Sequence, residues 1–526
     1  MPEQAVMSLL FSGFSMIRAG YVLAREGVIT ALPAEDLPPG ARLAHRIADL
    51  IQRRRAKHSG RSARLSNALN RLGPSWVKLG QFLATRPDVV GQEVAGDLQL
   101  LQDRMEPFGR TEAMHLVSQS LGVEPQSVFA DFSEPVAAAS IAQVHKAVRR
   151  RDGEQVAVKV IRPGVRQRFQ ADLDTFFDIA RFQERHIPQS RRLKPVAVVE
   201  TLAQSAKIEM DLRLEAAAIC EMADNIAEDS GFRVPAVDWE LTGRDCLTLE
   251  WVDGIKMSKV EEIRQAGHDL ERLASNLVQS FLRQTLRDGF FHADMHPGNL
   301  FVDAQSNIVA VDLGITGRLG RKERRFLAEI LFGFITRDYY RVAEVHFEAG
   351  YVPRHHDVAA FAQAIRAIGE PIHGQSAQTI SMARLLTLLF EVTDLFDMQT
   401  RPELLMLQKT MVVVEGVART LDPDFNMWKT AEPVVGDYLR RQLGPAGLVE
   451  DAGRGLHALR GLARSLPELA ESAQSLSDEM KSMAGNGLRL DPDTVRAIGK
   501  AEGDRNRWFK IIMVLIALIA LYLAFG

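Results

Sequence analysis

The sequence contains very little cysteine: Cys220 and Cys246 are the only two in 526 residues. This count excludes a disulfide framework and a cysteine-based zinc site, and it favours the reducing cytosolic side. An excess of one charge is also lacking, because 64 Lys and Arg residues are offset by 67 Asp and Glu, which gives a net charge of −3. Such a balance gives no sign of a nucleic-acid surface, so no nucleic-acid partner is expected.

The N-terminus lacks the basic region of a secretory signal, although its apolar residues fall near helical spacing. We expect an amphipathic helix there, packed on protein rather than on a membrane. The C-terminus is different, because residues 511–525 are apolar and no charge follows Lys510. Trp508 and Tyr522 occupy the positions of interfacial aromatic residues, which predicts a transmembrane helix over 506–526. A buried core helix is the alternative. The expected localisation is membrane-anchored with the body on the cytoplasmic face, at the inner membrane if the source is bacterial.

Polar side chains interrupt the apolar run of residues 290–302 at four positions: His292, Asp294, His296 and Asn299. Thirteen residues after Asn299, an apolar strand leads to Asp312, which is followed by Leu-Gly. The intervals between Asp294, Asn299 and Asp312 match those of a kinase catalytic loop and its metal-binding aspartate. The loop therefore predicts phosphoryl transfer.

The residue types at these positions suit magnesium chemistry. Asn299 and Asp312 offer the hard oxygen ligands that Mg²⁺ prefers, and Asp294 is suited to orient an attacking hydroxyl or to take its proton. Two alternatives remain for this loop. One is a hydrogen-bonded turn without chemistry, and the other is a metallohydrolase site built on His292, Asp294 and His296.

The pattern is β from Ser127 to Val160, with a small-residue loop at 135–142 and a hairpin turn at 151–153. The following strand contains Val-Ala-Val-Lys159, which is close to the kinase Val-Ala-Ile-Lys motif, so Lys159 is expected to hold the phosphates of a nucleotide. A later buried strand, residues 246–250, leads into a turn where a kinase hinge would meet the adenine.

Lys78 and Gln81 lie three residues apart on one helical face within an apolar stretch. A buried lysine needs an acidic partner. Glu209 and Glu215 lie in a helical pattern about 240° apart around the axis, so they could serve two different lysines. A solvated acidic helix face is the alternative for both glutamates.

Over roughly residues 40–430 the chain resembles the UbiB family of atypical kinase-like proteins, called the ADCK group in eukaryotes. The resemblance rests on linked motifs: Lys78-Leu-Gly-Gln81 as K-x-G-Q, the alanine-rich loop containing Ala137, Ala138, Ala139 and Ser140, Glu209-Met-Asp211 as E-x-D, His292 to Asn299, and Asp312-Leu-Gly314. Each motif is modest alone, and the set is highly specific.

The resemblance implies that Lys159 pairs with Glu215 and that Lys78 pairs with Glu209, which places the K-x-G-Q helix over the site where a protein substrate would bind. It implies that the alanine-rich loop replaces the glycine-rich loop and alters the handling of ATP or ADP. The implied nucleotide-binding set is Ala137, Ala138, Ala139, Ser140, Lys159, Glu250 and Val252, and the implied structural set is Lys78, Gln81, Glu209, Asp211 and Glu215. Family members support ubiquinone biosynthesis, hydrolyse ATP and associate with membranes and lipids.

The predicted fold is α+β: a two-lobed protein-kinase-like fold with an N-terminal helical extension and a C-terminal transmembrane helix. Its predicted parts are an N-terminal amphipathic segment and linker (1–40), the helical K-x-G-Q extension (41–125), the N-lobe (126–255), the helical C-lobe (256–430), a helical tether (431–505) and the membrane anchor (506–526).

The predicted function is a Mg²⁺-dependent, kinase-like ATPase or phosphotransferase that supports ubiquinone biosynthesis, with Asp294 and Lys159 as catalytic residues. Ala293 replaces the usual arginine between His and Asp, and no Ala-Pro-Glu segment follows, so a protein acceptor is not expected. Alternatives are a nucleotide-sensing scaffold, a lipid-extraction factor, or a small-molecule phosphotransferase of the aminoglycoside or choline kinase type. Expected partners are membrane lipids or quinone precursors and other ubiquinone-biosynthesis proteins, and homodimer formation stays open.

Overall fold

The structure is a computed structural model that describes residues 17–31, 39–57, 59–84, 86–99, 105–186, 191, 193–374, 392, 395–398 and 402–443. The chain divides into two units, Met1–Arg440 and Arg441–Gly526, and the contacts discussed below belong to the first. Parts of two predicted segments lie outside the described residues: 1–16 and 32–38 of the N-terminal segment, and 444–505 of the tether.

The N-terminal extension is helical, as its sequence pattern predicts. Its helices are α1 (Pro39–Ile51), α2 (Arg54–Lys57), α3 (Arg61–Leu72), α4 (Pro74–Ala84), α5 (Pro87–Val90) and α6 (Gln92–Gln99), preceded by a 3₁₀ turn at Ile29–Ala31. Gly73 separates α3 from α4 with a φ of 116°, a conformation that favours glycine. Pro74 can begin α4 because the first helical N–H needs no partner within the helix. This turn sets the direction of the helix that carries Lys78.

A four-stranded antiparallel sheet forms the core of the N-lobe, in the order β1-β2-β3-β5. Its strands are β1 (Phe129–Ala138), β2 (Ala142–Arg149), β3 (Gln155–Ile161) and β5 (Cys246–Glu250). The helices α7 (Arg110–Leu121) and α8 (Pro125–Val128) precede the sheet. Ala113 and Val117 of α7 are fully buried in one apolar cluster with Phe129, Phe132 and Val158 of the strands. The sheet is therefore covered by a helix that precedes it in sequence.

Three helices follow β3 in the chain: α9 (Val165–His186), α10 (Pro195–Glu209) and α11 (Leu212–Asn225). Glu209 and Glu215 do not share one helix, so that part of the sequence interpretation is wrong. Asp211 interrupts the helix and caps α11 by accepting a hydrogen bond from the Arg213 N–H at 3.2 Å. The two glutamates consequently project from different helices.

The C-lobe combines small sheets with helices. One sheet has the order β4-β9-β8-β6, and a second pairs β10 with β7. Its elements are β4 (Phe232–Arg233), a 3₁₀ turn (Trp239–Leu241), β6 (Gly254–Lys256), α12 (Val260–Gln265), α13 (Leu270–Arg283), a π-helical turn (Gln284–Asp288), β7 (Phe290–His292), β8 (Leu300–Asp303), β9 (Ile308–Ala310), β10 (Thr316–Arg318), α14 (Arg321–Thr336), α15 (Tyr339–Glu348), α16 (Val358–Gly374), α17 (Pro402–Leu421) and α18 (Met427–Leu443). The two-lobed α+β prediction agrees with this arrangement.

The C-terminal transmembrane helix in the predicted fold class requires correction. None of the helices in the described parts of the chain combines the length and apolar character that crossing a membrane demands. The apolar run at 506–526, on which the prediction rested, lies outside the described residues. The fold class is accordingly a two-lobed α+β kinase-like fold with a helical extension and no membrane helix assigned.

A buried polar network attaches the segment before α7 to the N-lobe sheet. The Gln143 side chain accepts from the Phe108 N–H at 2.9 Å and donates to the Phe108 carbonyl at 3.0 Å. It also contacts His145 Nε2 at 2.8 Å, while His145 Nδ1 lies 2.8 Å from the Ser133 carbonyl. The carbonyl can only accept, so Nδ1 donates and Nε2 accepts. Burial lowers the pKa of His145, in keeping with this neutral form.

Replacing Gln143 by Met should destabilise the N-lobe by about 1–3 kcal/mol, because methionine cannot replace the two hydrogen bonds to Phe108 or the one to His145. The measurement is the free energy of unfolding in denaturant. Gln126→Met, at an exposed position on α8, is the matched control and should lie near the wild type. Equal effects of the two substitutions would show that the network contributes nothing specific.

Candidate active site

Lys159 lies at the centre of a group of charges between the two lobes. Its ammonium contacts both oxygens of Glu215, at 2.8 and 2.9 Å, and Asp312 Oδ2 at 3.2 Å. β3 supplies the lysine, α11 supplies the glutamate, and the segment after β9 supplies the aspartate. The side chains of Lys159 and Glu215 are largely buried, whereas 41% of the Asp312 side chain is exposed. Asp312 is therefore the member of the group that a ligand can reach.

Burial and charge act against each other on these three groups. Burial alone would lower the pKa of Lys159, but Asp312 and Glu215 outweigh it and raise that pKa above its usual range. Burial raises the pKa of Glu215 even though Lys159 opposes the shift. For Asp312 the desolvation cost is exceeded by Lys159 and the Gly314 N–H, which hold its pKa well below the ordinary value. Asp312 is consequently ionised and ready to bind a cation.

A second lysine pair lies beside the first. Lys78 of α4 forms an ion pair with Glu209 at the end of α10, and both side chains are almost fully buried. Burial raises the pKa of Glu209, Lys78 opposes that shift, and the charges of Asp312 and Lys159 also act on it. The two ion pairs therefore belong to one electrostatic cluster. Gln81 lies one turn beyond Lys78 and is half-buried, while Asp211 caps α11 and binds the Arg213 guanidinium at 2.7 Å.

The catalytic-loop residues lie between β7 and β8. The Asn299 amide donates to the Asp294 carbonyl at 3.2 Å and approaches Asp294 Oδ2 at 3.4 Å. The Val311 N–H donates to the Asn299 carbonyl at 3.0 Å, which ties this loop to the segment that carries Asp312. The structure thus brings Asp294, Asn299 and Asp312 together through hydrogen bonds. Asn299 binds Asp294 through its side chain, and its carbonyl binds Val311, the residue next to Asp312.

The donor set of this arrangement fits a magnesium ion. The amide nitrogen of Asn299 faces Asp294, which leaves its oxygen as the atom for a metal. Asp312 adds a carboxylate, and oxygen donors of this kind are those that Mg²⁺ prefers. Counting Lys78 and Lys159 against Asp294, Glu209, Glu215 and Asp312, all as charged groups, leaves two negative charges. A divalent cation would balance them.

The geometry does not favour the zinc alternative for this loop. His292 Nε2 is buried without a hydrogen-bond partner among the described residues, but the ligand atoms of His292, Asp294 and His296 do not converge as a group of three. His292 Nδ1 accepts from the Asp294 N–H at 3.1 Å, and His296 Nδ1 accepts from the Gly298 N–H at 3.0 Å. The remaining ring nitrogen of His296 lies 3.8 Å from Asp294 Oδ2, and burial lowers the pKa of His292. Both histidines use a ring nitrogen to shape the loop, which is a structural role.

The alanine-rich segment is mostly strand rather than loop. Residues 135–138, predicted as part of a loop, continue β1, and a tight turn over 139–141 leads into β2. The Ala139 N–H donates to the Ala142 carbonyl at 2.8 Å, and the Ala139 carbonyl accepts from Arg162 at 2.8 Å. Ala137 and Ala138 lie in β1, and Ser140 is buried in the turn. Both main-chain groups of Ala139 are therefore already bonded and cannot wrap a phosphate as a glycine-rich loop does.

The hinge residues fall at the end of β5. The Glu250 carboxylate binds Arg233 at 3.0 Å and accepts from the Ala236 N–H at 3.2 Å, so its side chain stabilises the hinge. The Trp251 N–H donates to the Gln155 carbonyl at 3.2 Å. Val252 follows at a half-buried position. The Glu250 N–H donates to the Ala236 carbonyl at 2.8 Å, so any nucleotide contact by Glu250 would fall to its main-chain carbonyl.

Two residues near the site had no sequence signal. Thr410 of α17 is buried, and its hydroxyl lies 2.9 Å from both the Ala293 carbonyl and the Met406 carbonyl, which share its single proton. The contact with Ala293 holds the loop from behind. Arg162 fixes the alanine turn through Ala139 and binds the Glu106 carbonyl at 2.9 Å. A threonine inside an amphipathic helix and an arginine after a strand are ordinary at sequence level, so only their long-range contacts reveal them.

Comparison with known proteins gives two family matches. Residues 100–346 match the model of the ABC1 atypical kinase-like domain, and residues 365–426 match that of the UbiB helical domain. Thr410 lies in the second of these regions and Ala293 in the first.

Curated relatives match over most of the chain. The probable protein kinase UbiB of Marinobacter nauticus is 37% identical over 463 residues, which cover 87% of this chain and 84% of the relative. The protein of the same name from Aeromonas hydrophila is 38% identical and covers 81% of this chain and 78% of its own length. A solved structure titled as the Rv3197-erythromycin complex from Mycobacterium tuberculosis has a TM-score of 0.48 and 24% identity, and covers 68% of this chain and 90% of its own.

Replacing Thr410 by Val should destabilise the protein by about 1–3 kcal/mol, because valine keeps the shape but leaves the buried Ala293 carbonyl without a donor. Denaturant unfolding measures the loss, and Thr410→Ser should restore most of it. Thr420→Val removes a similar contact to the carbonyl four residues earlier, at an exposed position of the same helix, and is the matched control. Equal losses in both valine variants would contradict a special role for the Thr410 contact.

Proposed function

The chain belongs to the UbiB family of ABC1 atypical kinase-like proteins, and from this premise we propose that it is a Mg²⁺-dependent ATPase or phosphotransferase that supports ubiquinone biosynthesis. The single observation that carries the proposal is the bonded arrangement of Lys159, Asp294, Asn299 and Asp312 between the lobes. Asn299 and Asp312 would hold Mg²⁺, which would bridge and neutralise the phosphates of ATP or ADP. Lys159 would bind the same phosphates.

Asp294 is the residue that we assign to the acceptor. It lies next to Asn299, its side chain is 30% exposed, and it can orient an attacking hydroxyl or water and take its proton. Glu215 would hold Lys159 in position, and the hinge around Val252 would contact the adenine. Each of these roles is assigned from the position and charge of the side chain between the two lobes.

The geometry favours water or a small lipid-like molecule over a protein as acceptor. Only residues 315–320 separate the Asp312-Leu-Gly turn from α14, and 316–318 of these are in β10. A peptide-docking segment has no room there. The ion pair of Lys78 and Glu209 also fixes α4 of the extension beside the site. The same ion pair argues against a simple small-molecule phosphotransferase. Such enzymes have the same intervals in the catalytic loop but do not need a helix like α4 beside it.

The acceptor chemistry leads to the proposed partners. We propose quinone precursors or membrane lipids as the small molecules concerned, other ubiquinone-biosynthesis proteins as macromolecular partners, and the cytoplasmic face of a membrane as the place of action. A quinone precursor carries an apolar tail and a ring hydroxyl, and the hydroxyl suits a carboxylate such as Asp294.

The metal assignment is tested with Asp312→Asn. The substitution keeps the shape but removes the charge that attracts Mg²⁺, so the affinity for ATP should lose its dependence on Mg²⁺ and fall by about tenfold or more. Isothermal titration with ATP, with Mg²⁺ or with EDTA, measures this. Asp224→Asn, an exposed position on α11, is the matched control and should retain the Mg²⁺ dependence. Undiminished Mg²⁺-dependent binding by the Asp312 variant would exclude the assignment.

The second candidate function is a non-enzymatic, nucleotide-sensing scaffold or lipid-extraction factor. It is favoured by the alanine turn, whose Ala139 groups are already bonded and which therefore handles phosphate differently from a transferase loop.

Asp294→Asn should abolish ATP hydrolysis while leaving nucleotide binding intact, because Asp294 is not a proposed metal ligand. In a deletion strain, we expect this variant to fail to restore ubiquinone, measured by quinone-intermediate profiling. Full restoration without measurable ATPase would instead establish the scaffold.

A further inference from the structure

A cluster of metal-capable side chains lies outside the candidate active site, between the loop before α16 and a short segment at 395–398. His355, His356 and Asp397 each offer a ligand atom, and these three atoms lie within 4.8 Å of one another. His356 Nε2 is 3.4 Å and His355 Nε2 is 3.9 Å from the same oxygen, Oδ2 of Asp397. The proposed function gives these residues no role.

The distances are too long for hydrogen bonds, which place nitrogen and oxygen about 2.7–3.2 Å apart. They are close to the separation of two ligands on one ion. Bonds of about 2.0–2.1 Å to a tetrahedral Zn²⁺ put neighbouring ligand atoms about 3.3 Å apart. The three atoms therefore converge as ligands do, and the histidines would form ion pairs with Asp397 only if they were protonated.

The environment of His356 adds a second observation. Its Nε2 is buried and has no hydrogen-bond partner among the described residues, although this atom points towards Asp397. The ring packs edge-on against Phe396 with centroids 5.3 Å apart, and Phe396 packs on Phe361 at 5.0 Å. This apolar packing holds the nitrogen away from water. A buried acceptor without a donor needs an explanation, and a bound cation provides one.

The neighbouring histidine supports the same interpretation. The rings of His355 and His356 lie with their centroids 4.1 Å apart, so two adjacent residues direct imidazole nitrogens to one place. The His355 and Asp397 side chains are 67% and 72% exposed, which leaves the site open to solvent.

We propose that His355, His356 and Asp397 bind a divalent transition-metal cation of the Zn²⁺ class. Two imidazole nitrogens and one carboxylate suit Zn²⁺ and not Mg²⁺, which prefers oxygen ligands. Three protein ligands leave a fourth position for water. The ion would join the loop before α16, which precedes the region matching the UbiB helical domain, to the segment 395–398 within that region.

The test is a titration of the full-length, metal-free protein with ZnCl₂, followed by calorimetry and by thermal unfolding. We expect one equivalent to bind and to raise the melting temperature, because a ligand that binds only the folded state stabilises it. Asp397→Asn and His356→Asn should raise the Kd at least about tenfold and abolish the thermal shift. Co²⁺ in place of Zn²⁺ should give the visible absorption of a tetrahedral site in the wild type and not in the Asp397→Asn or His356→Asn variant.

Two control variants make the result specific. His115→Asn changes an exposed histidine of α7 and should bind as the wild type does. His296→Asn tests the rival position in the catalytic loop, and it should also retain the tight site. The proposal is overturned if His296→Asn removes the bound equivalent while Asp397→Asn does not, or if the wild type binds no equivalent. Circular dichroism of each variant verifies that the protein is folded.

Discussion

The neutralisation of two buried lysines is the constraint on which the rest of the structure depends. Lys78 and Lys159 lie where water is scarce, and a glutamate stabilises each of them, Glu209 for the first and Glu215 for the second. Breaking such a pair from one side costs about 3–5 kcal/mol, because the partner charge stays buried. Lys78 comes from the helical extension and Lys159 from strand β3 of the N-lobe. The two glutamates come from α10 and α11, which Asp211 separates. Asp312 then connects this cluster to the C-lobe, so the same interactions that join these elements also position the carboxylate that we propose as a cation ligand.

The catalytic loop is held from several directions, which explains why it can present its polar residues in one geometry. Asn299 binds Asp294 from within the loop, and the main chain of Asn299 is bonded to Val311. Behind the loop, Thr410 reaches Ala293 from the helical region that follows. Ala293 occupies the position that carries an arginine in ordinary kinases, and its carbonyl accepts a hydrogen bond from Thr410. The loop is thereby connected to a helix of the region that matches the UbiB helical domain.

Several features of the site were predictable from the sequence, and others were not, for identifiable reasons. The intervals of the catalytic loop and the Val-Ala-Val-Lys strand identified the kinase-like centre because hairpins and loops impose short, regular spacings. The separation of Glu209 and Glu215 onto two helices was not predicted, since Asp211 acts as a cap only when the chain turns there. The hydrogen bond to the Ala139 carbonyl could not be predicted either, because Arg162 donates it, and the same holds for the contact of the Glu250 side chain with Arg233.

The sequence by itself determined the α+β kinase-like fold and the membership of a family with linked motifs. It also predicted a loop spaced for phosphoryl transfer and a lysine suited to bind phosphate. These properties depend on residues that are close in sequence, where spacing translates directly into geometry. The prediction of a membrane helix from the terminal apolar run was wrong as part of the fold class. Only the tertiary structure decided which buried groups meet, such as Thr410 with Ala293 and His356 with Asp397. Contacts between distant residues depend on how elements pack, and no local pattern in the chain encodes their separation in space.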